Sequence, residues 1–227
     1  MDIGANLKHI LEEMTTAAEK AGRPGSAIRL VAVSKYKPAL AVTEAAAAGQ
    51  AIFGENYVQE LVAKAAEVTV PVEWHFIGHL QSNKARQIAG LVTMIHSVDR
   101  LSLAEEIDRQ WGKIGKVCDI LVQVNVSGEA SKSGTTAAAA LTLVKEISQL
   151  ANVRVRGLMT MPPFFDDPEA ARPYFRELRE LAATIASEAI PGVAMTELSM
   201  GMSGDFKVAI EEGATLVRIG TAIFGDR

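Results

Sequence analysis

Short apolar and β-branched runs recur along the chain at about 29–34, 50–53, 73–77, 92–96, 117–126, 153–159, 195–199 and 215–219, which predicts eight strands. Between them the apolar period changes to that of a helix. The stretch "RLSLAEEIDRQW" places Leu101, Ala104, Ile107 and Trp111 on one face, and "YFRELRELAATI" does the same with Tyr174, Leu178, Leu181 and Ile185. Pro38 and the alanine-rich run to Ala48 read as a helix that starts directly after the first strand. Strand and helix therefore alternate, the signature of a parallel sheet. Eight such units in this length predict an α/β fold, a single closed (β/α)₈ TIM barrel. An open doubly wound sheet usually has fewer strands and a glycine fingerprint after the first, and no G-x-G-x-x-G follows strand one. Residues 1 to 22 add an N-terminal amphipathic helix with Leu7, Ile10, Leu11 and Met14 inward, packed across the bottom or side of the barrel. No low-complexity linker divides the chain, so residues 1–227 are expected to form one domain.

Composition narrows the function classes. The chain is 48% hydrophobic and 22% charged, with a formal net charge of -4 and no basic block, so nucleic-acid binding is not expected. An acidic residue at position 2 and the lack of a signal-length apolar core leave a cytoplasmic protein, off the membrane, as the expectation. The one cysteine, Cys118, opens the apolar run "CDILVQVNV" and reads as core.

Barrel enzymes carry their chemistry on the loops after the strands, and polar residues collect there. Lys35 ends strand one; Asn56 follows strand two; His79, Gln81 and Asn83 follow strand three; "HSVDR" follows strand four; later ends carry Asn125, Ser127, Thr160, Ser199, Gly220 and Thr221. Helix N-caps use the same residue types, which accounts for Asp99 and much of "SGTT". The segments "ELSMGMSGDF" and "RIGTAIFG", after strands seven and eight, hold positions that commonly bind phosphate in barrels. Ser199, Gly201, Ser203 and Gly204 offer hydroxyls and close backbone approach, Gly220 and Thr221 a second set of donors, and Met200 lies near enough to line the loop. Val31, Val33 and Lys35 share one parity, as do Leu216, Arg218 and Gly220, so the lysine and the arginine extend rows that point into the barrel. An amine among apolar residues beside a cation is held towards its neutral, nucleophilic form. A phosphorylated aldehyde held on Lys35 as a Schiff base fits this set, with Lys37, beside Pro38, facing solvent.

Other motifs carry less. His75 and His79 lie on an extended segment, roughly 13 Å apart, too far to share a metal, so no metal site is expected. In "GEASKS" Ser131 occupies the second glycine of a P-loop, which excludes a nucleoside triphosphatase. Lys132 reads as a solvated loop lysine, and Met159, Met161, Met200 and Met202 as core fillers.

The segments "AVSKYKP", "FGENYVQE", "WHFIGHLQSNK", "SVDR", "VQVNVSGEASKSG", "GLMTMPP" and "LSMGMSGDFKVAIEEGATLVRIGTAIFG" together resemble the YggS/PROSC family of pyridoxal phosphate homeostasis proteins, similar to the N-terminal barrel of alanine racemase. The resemblance implies a fold-type III barrel in which Lys35 bonds pyridoxal 5'-phosphate, Asn56 bounds the ring, Arg218 faces the pyridine nitrogen, and Ser199, Gly220 and Thr221 hold the phosphate. It also implies a carrier in vitamin B6 homeostasis that supplies the cofactor to apoenzymes by transient contact, without catalytic residues; a monomer is the expectation, although the sequence does not decide whether the chain dimerises. Racemases of this fold add a second domain and a tyrosine base, whereas this sequence ends at Arg227, just past strand eight. A small single-domain racemase acting through the same Schiff base is the alternative, and an aldolase acting on a sugar phosphate without cofactor is a third reading.

Overall fold

The computed structural model describes residues 2–129 and 132–225, so Ser131 and Arg227 lie outside the described residues. Its strands are β1 Arg29–Val33, β2 Ile52–Glu55, β3 Glu73–Phe76, β4 Met94–Val98, β5 Cys118–Asn125, β6 Thr135–Thr136, β7 Val153–Met159, β8 Glu197–Ser199 and β9 Leu216–Ile219. All pair in parallel, and β1 pairs with both β2 and β9. Following the pairings through β3, β4, β5, β7 and β8 returns to β9, so eight strands close a barrel while the two-residue β6 flanks β5. The helices are α1 Ile3–Lys20, α2 Ala39–Ala47, α3 Val58–Glu67, α4 Ala85–Ile88, α5 Leu101–Lys113, α6 Ala137–Ile147, α7 Arg172–Ser187, α8 Phe206–Glu211 and α9 Thr221–Phe224.

Side chains alternate between two faces of each strand. One set, Val31, Ile52, Met94, Leu121, Met159 and Leu216, fills the barrel interior as a small separate core. The other set, including Leu30, Ala32, Phe53, Ile120 and Val217, packs against the helices in the main core. The inner layer is also polar: His75, His96, Ser199 and Arg218 are all buried.

The helices α8 and α9 are short, six and four residues, and leave the barrel flank beside them thinly covered. The 18-residue α1 covers it, packing on α8, α9 and α2, with Asp2 capping its first turn through Ala5 N–H at 2.9 Å. It lies on the side of the barrel, not the bottom. Leu7, Ile10 and Met14 are buried as the periodicity predicts, but Leu11 is 41% exposed. In α7 the buried face is Phe175, Leu178, Ala182 and Ile185, one residue round from the predicted face at its start and at position 181. Asp99 does not cap α5; its carboxylate pairs with Arg100 at 2.7 Å, while Thr136 does cap α6 through Ala139 N–H. No helix among the described residues is long and apolar enough to cross a membrane.

Candidate functional site

At the C-terminal end of the strands a cavity of about 310 Å³ opens, at the lower end of the roughly 300–1,000 Å³ typical of small-ligand sites. Lys35, Asn56, Arg218, Gly220 and Thr221 all line it. Strand parity brings them there. Val31 is in the inner core, Val33 is on the cavity wall and Lys35 follows; Leu216, Arg218 and Gly220 form the matching row on β9. Ser203, Gly204 and Asp205, from the loop after β8, complete the polar side. Met161, Phe164, Phe165 and Pro168, from the long connection after β7, form an apolar wall, with Phe164 85% exposed.

The loop after β8 is built to approach closely. Asp205 accepts the Met202 N–H at 2.6 Å and closes a turn, and Gly201 accepts the Arg218 N–H at 3.0 Å. Thr221 Oγ1 lies 3.2 Å from Ser203 Oγ, so hydroxyls of two loops meet at one edge of the cavity. Burial raises the Asp205 carboxyl above its ordinary range.

Ser199 and Met200 do not line this cavity. Met200 is fully buried in the outer core, because its parity points it at the helices. Ser199 points inward, but its hydroxyl accepts from Arg218 Nη1 at 2.6 Å and lies 2.9 Å from His96 Nδ1. Arg218 Nη2 donates to the Thr160 carbonyl at 2.9 Å, and His96 Nε2 lies 2.9 Å from His75 Nδ1. Guanidinium has no acceptor, so Ser199 accepts from it. The row continues through the two imidazoles, with one hydrogen in the contact between Ser199 Oγ and His96 Nδ1 and one in the contact between His96 Nε2 and His75 Nδ1. Both imidazoles are neutral: burial pushes His75 down to about 3 and His96 well below its usual value. Burial also lowers Arg218 to about 10, which leaves it charged at neutral pH.

Two other strand-end residues bond to backbone outside the cavity. Asn125 orders its loop, taking Gly128 N–H at 3.1 Å and donating to Glu129 O at 2.8 Å, and Thr160 donates to Val124 O. His79, Gln81 and Asn83 are exposed and do not line the cavity. Among the described residues no group of three or more His, Cys, Asp or Glu side chains could hold a metal ion. Cys118 is buried, and burial raises its thiol.

The donor set fits an anionic aldehyde-bearing ring. Lys35 supplies a primary amine, Ser203 and Thr221 hydroxyls, and Arg218 a fixed positive charge. Asn56 Oδ1 is buried with no hydrogen-bond partner among the described residues, an acceptor that a ligand donor would satisfy.

Comparison with known proteins agrees with this geometry. The family model for the alanine racemase N-terminal domain matches residues 5–227, and alanine racemase of Clostridium difficile shares the fold at TM-score 0.76, 12% identity, over 98% of this chain and 57% of its own. Fold and site thus define a barrel of the alanine racemase N-terminal class. A pyridoxal phosphate homeostasis protein of Aquifex aeolicus is 46% identical over 228 residues, 100% of this chain and 99% of the relative. PipY of Synechococcus elongatus, solved with PLP bound, is 41% identical at TM-score 0.82, over 95% of this chain and 100% of its own. The chain belongs to the family of pyridoxal phosphate homeostasis proteins.

Proposed function

We propose that this chain, acting as a single-domain cytoplasmic monomer, binds pyridoxal 5'-phosphate (PLP), holds it as a Schiff base on Lys35 and supplies it to apoenzymes. The observation that carries this reading is the meeting of Lys35, Asn56, Arg218, Gly220 and Thr221 on one cavity wall, from three strand ends that are far apart in sequence. When bound, the cofactor supplies an aldehyde that condenses with a primary amine and releases water. Lys35 provides that amine. Ser203, Gly204, Gly220 and Thr221 hold the phosphate through hydroxyls and backbone N–H groups, and Ser199 contributes from behind by fixing Arg218. Arg218 stays charged and offers only donors, so it would disfavour the protonated form of a ring nitrogen beside it and could donate a hydrogen bond to the unprotonated one. An unprotonated ring is a weak electron sink, which disfavours abstraction of an α-proton. That supports carriage over racemisation.

Borohydride reduction of the PLP-loaded protein, followed by peptide mapping, should place the label on Lys35, and Lys35→Ala should lose it with the fold intact. A label mainly on Lys37 or Lys132 overturns the assignment. Mixing the loaded protein with an apoenzyme should restore that enzyme's activity, and α-proton exchange on alanine in deuterated water should stay at trace level. Robust exchange would make the chain a racemase-type enzyme.

A further inference from the structure

On the outer face of β1 and β2, opposite the cavity, lies a buried group of charged side chains. Lys64 of α3 places its Nζ 2.6 Å from Glu55 Oε1, 2.7 Å from Glu60 Oε1 and 2.6 Å from the Ser34 carbonyl oxygen. Three ammonium protons meet three acceptors. Ser34 also donates its hydroxyl to Glu55 Oε1 at 2.7 Å and its N–H to Gly54 O at 3.1 Å. Glu60 Oε1, besides Lys64, accepts the backbone N–H of Tyr36. The two residues that flank Lys35 are therefore both tied to the same ammonium and carboxylate group.

Two physical facts require an explanation. Tyr36 adopts φ 62°, a left-handed conformation uncommon for an aromatic residue, and such a backbone persists only where its surroundings over-determine it. A buried ion cluster is also a poor source of stability, since well-packed apolar side chains commonly do as well. Lys64 is only 6% exposed and Glu55 fully buried, and one oxygen, Glu55 Oε2, has no hydrogen-bond partner among the described residues. What the cluster does supply is geometry. It holds the Ser34 carbonyl and the Tyr36 N–H on either side of the residue whose side chain enters the cavity.

We propose that Lys64, Glu55 and Glu60 form a positioning device that fixes the Ser34–Tyr36 backbone and so aims the Lys35 amine into the cavity. None of the three lines the cavity, so they act through Lys35 and not on the ligand. The inference rests on the reading that Lys35 is the covalent lysine.

The test uses the full chain and two ligands: PLP, which needs a correctly aimed amine, and pyridoxamine 5'-phosphate, which has the same ring and phosphate but no aldehyde. In Lys64→Met the affinity for PLP, read from the Schiff-base absorbance, should fall at least tenfold, while affinity for pyridoxamine 5'-phosphate changes less than twofold. Lys64→Arg, which keeps a cation in place, should recover part of the loss. Lys64→Met leaves two carboxylates without their cation; should it fail to fold, Glu60→Leu decides, because Glu60 is partly exposed and the Lys64–Glu55 pair remains. The same split between ligands is expected there. Unchanged binding of PLP, or equal losses for both ligands, overturns the positioning role. Borohydride mapping of the unmodified protein is read separately: a label away from Lys35 defeats the functional reading itself, and the inference with it.

Discussion

Thr221 and Ser199 differ in what they reach, although both are hydroxyls at strand ends. Thr221 is exposed on the cavity edge, whereas Ser199 is fully buried and held by Arg218 and His96. Thr221→Val should therefore remove a charge-assisted contact to phosphate, about 1.5–3 kcal/mol, and lower PLP affinity at least tenfold while leaving unphosphorylated pyridoxal nearly unaffected. Ser199→Ala should weaken both ligands alike, because it loosens the guanidinium and not a phosphate contact. Isothermal titration with the two ligands checks both; the opposite pattern in either variant refutes the assignment. Lys35 and Thr221 are legible in the sequence because each follows an apolar run at the C-terminal end of a strand. The role of Ser199 is not, since its partners stand 19 and 103 residues away and only barrel closure brings them within reach.

At the scale of the element, the segment between β8 and α8 shows what backbone alone can require. Gly201 has φ 93°, and a Cβ there would lie 2.6 Å from Ala209 Cβ and 3.0 Å from Phe206 Cα. Gly201→Ala should cost on the order of 1–3 kcal/mol from backbone strain alone and displace the loop that carries Ser203, whereas Gly204→Ala, with open space around it, should unfold at nearly the same denaturant concentration as the parent. Equal midpoints for both variants would contradict this. Element types were readable from the period of the apolar runs, but β2 and β4 begin and end two residues later than the runs indicate. Gly54 and Glu55 look like the start of a turn, yet both pair with β3, at His75 and Phe76. Neighbouring strands on both sides override the local propensity. The Gln50 side chain instead spans the strand entrance, donating to Leu30 O and Ile52 O.

For the whole molecule, two neutral histidines inside the barrel set an acid limit on stability. Their folded pKa values lie below the unfolded value of about 6.5, so on acidification the unfolded chain takes up protons that the folded one refuses. Stability should be complete above about pH 6.5 and fall below it, by up to about 1.4 kcal/mol per pH unit for each histidine. Glu55 acts in the opposite sense above pH 4.5, because burial raises its pKa, and offsets part of the slope. Urea unfolding at pH 7 and pH 5 should show the loss, and the His75→Gln/His96→Gln double variant should show a shallower dependence; an unchanged slope would exclude the pair as its source. By itself the sequence determined the alternation of strand and helix, the closed barrel of eight strands, and the strand ends on which a lysine, an arginine and two glycine-bearing loops must sit, because period and parity are properties of neighbouring residues. Only the tertiary structure decided that Ser199 serves Arg218, that His75 and His96 share a proton row, and that Phe164 and Phe165 wall the cavity. Those contacts join separate strands and loops, and their energies depend on burial, which comes into being when the barrel closes.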